Sequence, residues 1–171
     1  MDAAESLRGQ FLGAMRRAVS GVNIVTTDGP AGRSGATVSA MASVSADMDP
    51  PTLLVCLHRQ STTAKALIAN GVFCLNILSD AQRPVAERFA SRLAAAEDKF
   101  AGFAWSPGAT GAWGLEGALA RFDCRLLKAD LVGTHHVIIG STETAAFSAQ
   151  ARALLYGGRQ YCAAAILPDL S

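Results

Sequence analysis

Charge is scarce in this sequence. Only 17% of its 171 residues are Asp, Glu, Lys or Arg, and the formal net charge is +1. A nucleic-acid binder gathers its basic residues into a patch or stripe, and here they are scattered, so no nucleic-acid partner is expected. Long apolar runs are missing too: none approaches the ~18 residues that a membrane-spanning helix needs. Residues 1–11, MDAAESLRGQF, carry acids where a secretory signal needs a basic start and an apolar stretch. A cytoplasmic protein with no membrane partner is expected. Cys56, Cys74, Cys124 and Cys162 are far apart and form no CxxC pair. A structural zinc site needs closer ligand pairing, so free buried thiols are expected. His135 and His136 are adjacent, so in a strand they point to opposite faces and cannot share one ion, and His58 stands alone. No metal site is expected. There is no GxSxG elbow and no GxGxxG loop, which removes a nucleophile elbow and a Rossmann dinucleotide site.

What is present is apolar. Half of the residues are hydrophobic, enough for one domain over residues 1–171 with a substantial core. Low charge with a positive mean hydropathy points to additional buried surface, such as a subunit interface. The most informative stretch is residues 34–45, SGATVSAMASVS. Read with period two it has unlike faces. Ala36, Val38, Ala40, Ala42 and Val44 make a small apolar face suited to a tight interior. Thr37, Ser39, Met41, Ser43 and Ser45 make an uncharged face with four hydroxyls. Such a face suits a wall against a polar, flat or anionic ligand; the alternative is a plain edge or interface strand.

Around that stretch the pattern is mostly strands broken by Gly and Pro. Residues 3–20 read as a helix with Leu7, Phe11 and Met15 on one stripe, ended by Gly21. Residues 22–27 (VNIVTT) read as a strand, and a turn at 28–35 returns the hydroxyl stretch as its antiparallel partner. Residues 52–58 read as a central buried strand, 64–70 as a short helix closed by Gly71, and 72–78 as a further buried strand carrying Asn76. A helix is expected over 81–90 with Val85 and Phe89 inward, a mixed segment over 91–100, and a loop near Trp113. A long strand or bent pair covers 119–132, with Phe122, Cys124, Leu126 and Leu127 as core candidates. After a tight turn at Gly133 and Thr134 another strand starts at His135. Many strands with few helices suggest a β-barrel with peripheral helices.

Several groups invite a ligand. Ser61, Thr62 and Thr63 are three hydroxyls at a helix start, more than one N-cap requires. Free N–H groups, the helix dipole and hydroxyls together suit a phosphate, with Arg59 or Lys65 as charge partners; plain capping is the other reading. Trp113 either stacks on a ligand or anchors its loop. His135 follows a glycine turn, where it suits hydrogen bonding to a substrate carboxamide at a pocket mouth; a core or surface role is the alternative. Tyr156, Arg159 and Tyr161 surround the glycine pair 157–158, where the backbone can approach a ligand closely. Binding groups without an evident acid, base or nucleophile fit an enzyme whose cofactor carries the reaction.

Seven motifs in order carry a resemblance: GVNIVTT (21–27), SGATVSAMASVS (34–45), PPTLLVCLHRQST (50–62), FCLNIL (73–78), ERFAS (87–91), GTHHVIIG (133–140) and LLYGGRQY (154–161). Together they resemble the flavin reductase-like split-barrel family, the short-chain reductases of two-component monooxygenases such as 4-hydroxyphenylacetate 3-monooxygenase, and the flavin reductase of pyrimidine utilisation. The resemblance implies a homodimeric, FMN-binding split β-barrel of Greek-key type, mostly β with peripheral helices. The helix would span about 3–20 and the barrel about 22–161. It implies hydride transfer from NADH or NADPH to FMN or FAD, with reduced flavin passed to a partner oxygenase. A corrinoid reductase acting on cob(II)yrinic acid a,c-diamide and a non-enzymatic flavin-binding protein share the fold and remain alternatives. Carried over residue by residue, Thr37, Val38, Ser39 and Ala40, with Ser45, would contact the flavin ring. Ser61 and Thr62 would hold its phosphate, and Arg88, Phe89, Ala90 and Ser91 would lie along the rest. His135 would sit near the nicotinamide as the catalytic residue, and Tyr156, Arg159 and Tyr161 would approach NADH. Thr134 stands where the family often has Asp, so any role of that carboxylate is absent.

Overall fold

The computed structural model describes residues 6–91, 98–148, 152–165 and 167. Ser6 accepts a hydrogen bond from the Gly9 N–H and caps α1, Leu7–Met15. This helix stops well before Gly21, because Ser20 and Gly21 are recruited as a short strand, β1 (Ser20–Gly21), against Tyr156 and Leu155. Residues 3–5 of the expected helix lie outside the described residues. The apolar stripe of Leu7, Phe11 and Met15 forms, yet it is exposed, Leu7 at 82%.

Next come β2 (Asn23–Thr27), β3 (Ser34–Val38), β4 (Met41–Ser45) and β5 (Thr52–His58). Helix α2 (Thr62–Asn70) ends at Gly71, whose φ of 71° is the left-handed cap that glycine adopts without strain. Strand β6 is Val72–Ile77. A 3-10 turn at Asp80–Gln82, closed by a Ser79/Gln82 capping box, leads into α3 (Arg83–Ala90). The ribbon β7 (Trp105–Pro107) and β8 (Trp113–Leu115) precedes the long hairpin β9 (Ala120–Val132) and β10 (His135–Phe147). A last hairpin, β11 (Leu154–Gly157) and β12 (Gln160–Ala163), follows. Of the mixed segment expected at 91–100, residues 92–97 lie outside the described residues.

Seven strands form one antiparallel sheet in the order β3-β2-β6-β9-β10-β5-β4, and β1-β11-β12 form a second. The chain is thus mostly β with few helices. The hydroxyl stretch is two strands rather than one. It breaks at Ser39 and Ala40, and its halves become opposite edges of the large sheet. Two linking residues span at most about 11 Å, so the sheet must curl until its edges nearly meet. The Cys56 N–H to Ala40 carbonyl bond (3.1 Å) holds this corner. Among the described residues no strand ladder joins β3 to β4, so hydrogen bonding does not close a barrel. The corner also switches faces. Ala36 and Val38 meet the core before it and Met41 after it, while Ala40, Ala42 and Val44, expected inside, are exposed.

Strand β2 is buried throughout, because its faces feed two cores. Val25 joins Val38, Val55, Phe73, Leu75 and Ile138 under α2. Val22, just before the strand, and Ile24 join Leu78, Val85, Phe89, Phe100 and Leu154 under α3. Asn76 finds partners for its buried amide: Nδ2 donates to the Ile24 carbonyl (3.1 Å) and Oδ1 accepts from the Leu115 N–H (2.7 Å). Trp113 is an anchor, with the Arg33 guanidinium 3.4 Å above its ring.

Other expectations shift for local reasons. Strand β5 is next to the edge rather than central. Leu127 is exposed, because a register shift pairs Ile139 with Lys128 and Gly140 with Leu126 and leaves it bulged. Cys74 and Cys124 are buried free thiols, but Cys162 is exposed on β12 and Cys56 half-buried.

Gly35 lets α3 lie against β3. A Cβ there would stand 2.6 Å from Cε1 of buried Phe89. Gly35→Ala should therefore lower stability by about 1–3 kcal/mol, read as a lower urea midpoint with an unchanged slope. An unchanged midpoint would show that Phe89 yields freely.

Candidate functional site

The end of β3 meets α3 and the last hairpin around a cavity of about 700 Å³, within the range of small-molecule sites. Thr37, Val38 and Ser39 form one wall, with Val22 behind and Ala90 and Arg83 from α3 beside them. Tyr156, Arg159, Gln160 and Tyr161 form the other. The Thr37 hydroxyl donates to the Ala86 carbonyl at 2.7 Å. That bond ties α3 to β3 and leaves the Thr37 oxygen able to accept from a ligand.

The hairpin wall is held from several sides. Its stem is fixed where the Val22 N–H donates to the Leu154 carbonyl and the Leu154 N–H to the Leu78 carbonyl, both at 2.9 Å. Its tip rests on the end of α1, the Gly158 N–H donating to the Arg16 carbonyl (3.2 Å). What approaches Gly157 closely is Val19 of the same chain, so that glycine serves packing. Gly158 and Arg159 make the two-residue turn, with φ of 56° and 68°. The Tyr156 and Tyr161 rings meet edge-on at 5.2 Å, and the Arg83 guanidinium lies 5.3 Å from the Tyr161 ring centre.

Two arginines and no carboxylate line this cavity, so it suits an anionic ligand. Burial pushes the Tyr161 phenol above its ordinary pKa. Glu87 and Tyr156 add to that shift and Arg83 opposes it, so Tyr161 is a protonated donor at neutral pH.

A second group gathers at the start of α2. His135 and His58 pair across β10 and β5, their rings 5.1 Å apart and nearly perpendicular. The Ser61 N–H donates to the His58 carbonyl (2.8 Å) and the Arg59 N–H to that of Thr134 (2.9 Å). Thr134 Oγ1 lies 3.0 Å from His135 Nδ1. Ser61 is the N-cap residue of α2, yet its side chain makes no capping bond. Thr63 is turned inward to Ser34 (2.9 Å).

The predicted residues therefore divide. Thr37, Val38, Ser39, Ala90, Tyr156, Arg159 and Tyr161 share the cavity, and Ser61, Thr62 and His135 stand at the α2 start. The others line neither group. Phe89 is 2% exposed and packs on Phe100 and Trp105, so only its backbone is left for a ligand. Arg88 lies over Phe103. Ser91 turns its hydroxyl back to the Arg88 carbonyl (2.6 Å), and Lys99 takes the Ser91 carbonyl (2.8 Å). Burial holds Lys99 below its ordinary pKa. Ser45 pairs with Thr52 on the far edge, and Ala40 sits at the corner.

Sequence reasoning missed Val22, Arg83 and Gln160. Pro84 marks the start of a helix and so brings Arg83 into its first turn, but the approach to Tyr161 is a long-range pairing that no local pattern encodes.

Comparison with known proteins bears on the fold and the family. The Flavin reductase like domain family matches residues 15–165. A protein named FMN reductase (NADH) RutF 2, from Methylorubrum extorquens, is 48% identical over 148 residues, covering 86% of this chain and 84% of its own. A nitrilotriacetate monooxygenase component B homologue from Mycobacterium thermoresistibile superposes with a TM-score of 0.85 at 31% identity, covering 96% of this chain and 92% of its own. BorF, the flavin reductase component of a bacterial two-component tryptophan halogenase, gives 0.82 at 32%, covering 94% and 98%. With that match over nearly all its length, this chain belongs to the flavin reductase-like domain family.

Proposed function

We propose that this protein is an NADH-dependent flavin reductase that takes FMN as hydride acceptor and passes reduced flavin to a partner oxygenase. The observation that carries the reading is the shared cavity. It joins Thr37, Val38 and Ser39, assigned to the flavin, with Tyr156, Arg159 and Tyr161, assigned to the nicotinamide. Relatives named FMN reductase (NADH) favour that flavin and that donor, and the oxygenase rests on neighbours from two-component systems.

The residues present fit such a ligand pair: an uncharged hydroxyl wall, aromatic rings, cations facing the cavity and an unused hydroxyl at a helix start. Bound flavin supplies the hydride acceptor; the protein binds and orients. Uncharged Thr37 and Ser39 accept a flat polar ring without burying an ion, and neutral Tyr161 donates a hydrogen bond. Aligning two bound rings converts an encounter in solution into a reaction within one complex. The exposed stripe of Leu7, Phe11 and Met15 with Leu131 and Val132 supports a second copy of the chain as partner, completing a homodimeric split barrel.

Purified protein should oxidise NADH when FMN is added, faster than with FAD or NADPH. No oxidation above background overturns the reading, and anaerobic turnover only with a cob(II)alamin-type acceptor replaces it with corrinoid reduction. Light scattering should give about twice the 17.7 kDa chain mass; a single-chain mass removes the dimer. Ser61→Ala with Thr62→Ala should weaken FMN by about 1–3 kcal/mol and leave riboflavin, which lacks the phosphate, unchanged. Equal loss of both flavins removes the phosphate assignment. His135→Ala should raise the KM for NADH more than the Kd for FMN. The reverse order assigns His135 to the flavin phosphate beside Ser61.

A further inference from the structure

We propose that Arg83, at the start of α3, is a nucleotide-binding residue that with Arg159 clamps the diphosphate of the dinucleotide at the mouth of the cavity. The assignment rests on the flavin and nicotinamide reading above. That ligand pair carries anionic groups at two separate places, and the hydroxyls at Ser61 and Thr62 serve only one. Arg83 and Arg159 are the two cations lining the cavity, and they reach it from α3 and from the last hairpin.

Arg83 is held in orientation. Its guanidinium lies 5.3 Å from the Tyr161 ring centre, and its Nε donates to Glu87 Oε1 at 2.8 Å. A guanidinium has five N–H donors, so the terminal nitrogens remain for a phosphate, which matches their planar fork. Glu87 partly offsets the charge. That pair is exposed, however, at 60% and 51%, and exposed pairs are weakly held, so an entering diphosphate competes for the side chain.

Arg159 gives a second indication. It is the only non-glycine residue with positive φ among the described residues. The left-handed region strongly favours Gly or Asn. The two-residue turn itself requires that φ; an arginine at this position sets its cation at the hairpin tip among the cavity-lining residues, and its neighbour Gln160 lines the same cavity.

The test is Arg83→Gln, with ADP-ribose as a probe that carries the diphosphate without the nicotinamide and adenosine as one that carries neither. The KM for NADH and the inhibition constant of ADP-ribose should rise together, by about tenfold or more. The Kd for FMN, read by flavin fluorescence, and any inhibition by adenosine should stay within about twofold. Arg83→Lys keeps the charge but not the fork and should recover part of the ADP-ribose affinity, which a loss of folding would not allow. Unchanged ADP-ribose inhibition in Arg83→Gln overturns the proposal. Weakened FMN with intact ADP-ribose binding also overturns it, by giving Arg83 to the flavin phosphate. Failure of the underlying reading shows separately: wild-type protein would then not oxidise NADH with FMN at all, and this assignment falls with it.

Discussion

The two-residue corner at Ser39 and Ala40 is the constraint on which the rest of the molecule depends. A strand that leaves one edge of a seven-stranded sheet and immediately begins the opposite edge forces that sheet to curl. The curl has two consequences. The interior becomes small enough for Val38, Val55, Phe73 and Ile138 to fill with the help of one helix. The corner itself cannot be covered by a neighbouring strand, so Ser39 stays exposed where α3 and the last hairpin arrive. The site is thus the place where the sheet fails to continue.

What surrounds the corner follows from β2. Because both its faces are buried, each must be covered, α2 over Val25 and α3 over Ile24. Gly35 and Thr37 on β3 receive α3, one by leaving room for Phe89 and the other by donating to the Ala86 carbonyl. Thr37 therefore joins packing to the cavity: the hydroxyl that fixes the helix also lines the wall. Leu154, buried and bonded to both Val22 and Leu78, fixes the hairpin wall to the same core.

Local pattern made the strands, the glycine turns and the hydroxyl wall legible. The corner was not, because SGATVSAMASVS alternates without interruption and contains no Gly or Pro at its break. Only the strand partners, Asn23 for Val38 and Val55 for Met41, show that it divides. The same limit applies to α1, where Ser20 and Gly21 look like the end of a helix until β11 claims them. Of the candidate site, Thr37, Ser39, Tyr156, Arg159 and Tyr161 were legible as residue types in turn and strand contexts. Arg83 was not, since its neighbour Tyr161 lies far along the chain. Phe89 is a core ring, as its helical spacing with Val85 indicates, so the ligand role that the resemblance gave it is left to its backbone.

The ionisable groups of the core and of the cavity limit what the protein itself contributes. Burial pushes the Cys74 and Cys124 thiols up to about 12, so neither is a thiolate nucleophile at neutral pH, and Cys74 lies under the β7–β8 ribbon. Tyr161 is pushed toward its protonated form. The cavity offers rings, hydroxyls and cations, which hold ligands, rather than a poised acid–base pair. Rate must therefore come from the relative placement of the bound molecules, and placement depends on how firmly the two walls are held together. The Thr37–Ala86 bond stiffens one wall and the Val22–Leu154–Leu78 bonds the other. Changes at those contacts should alter turnover by moving one wall relative to the other.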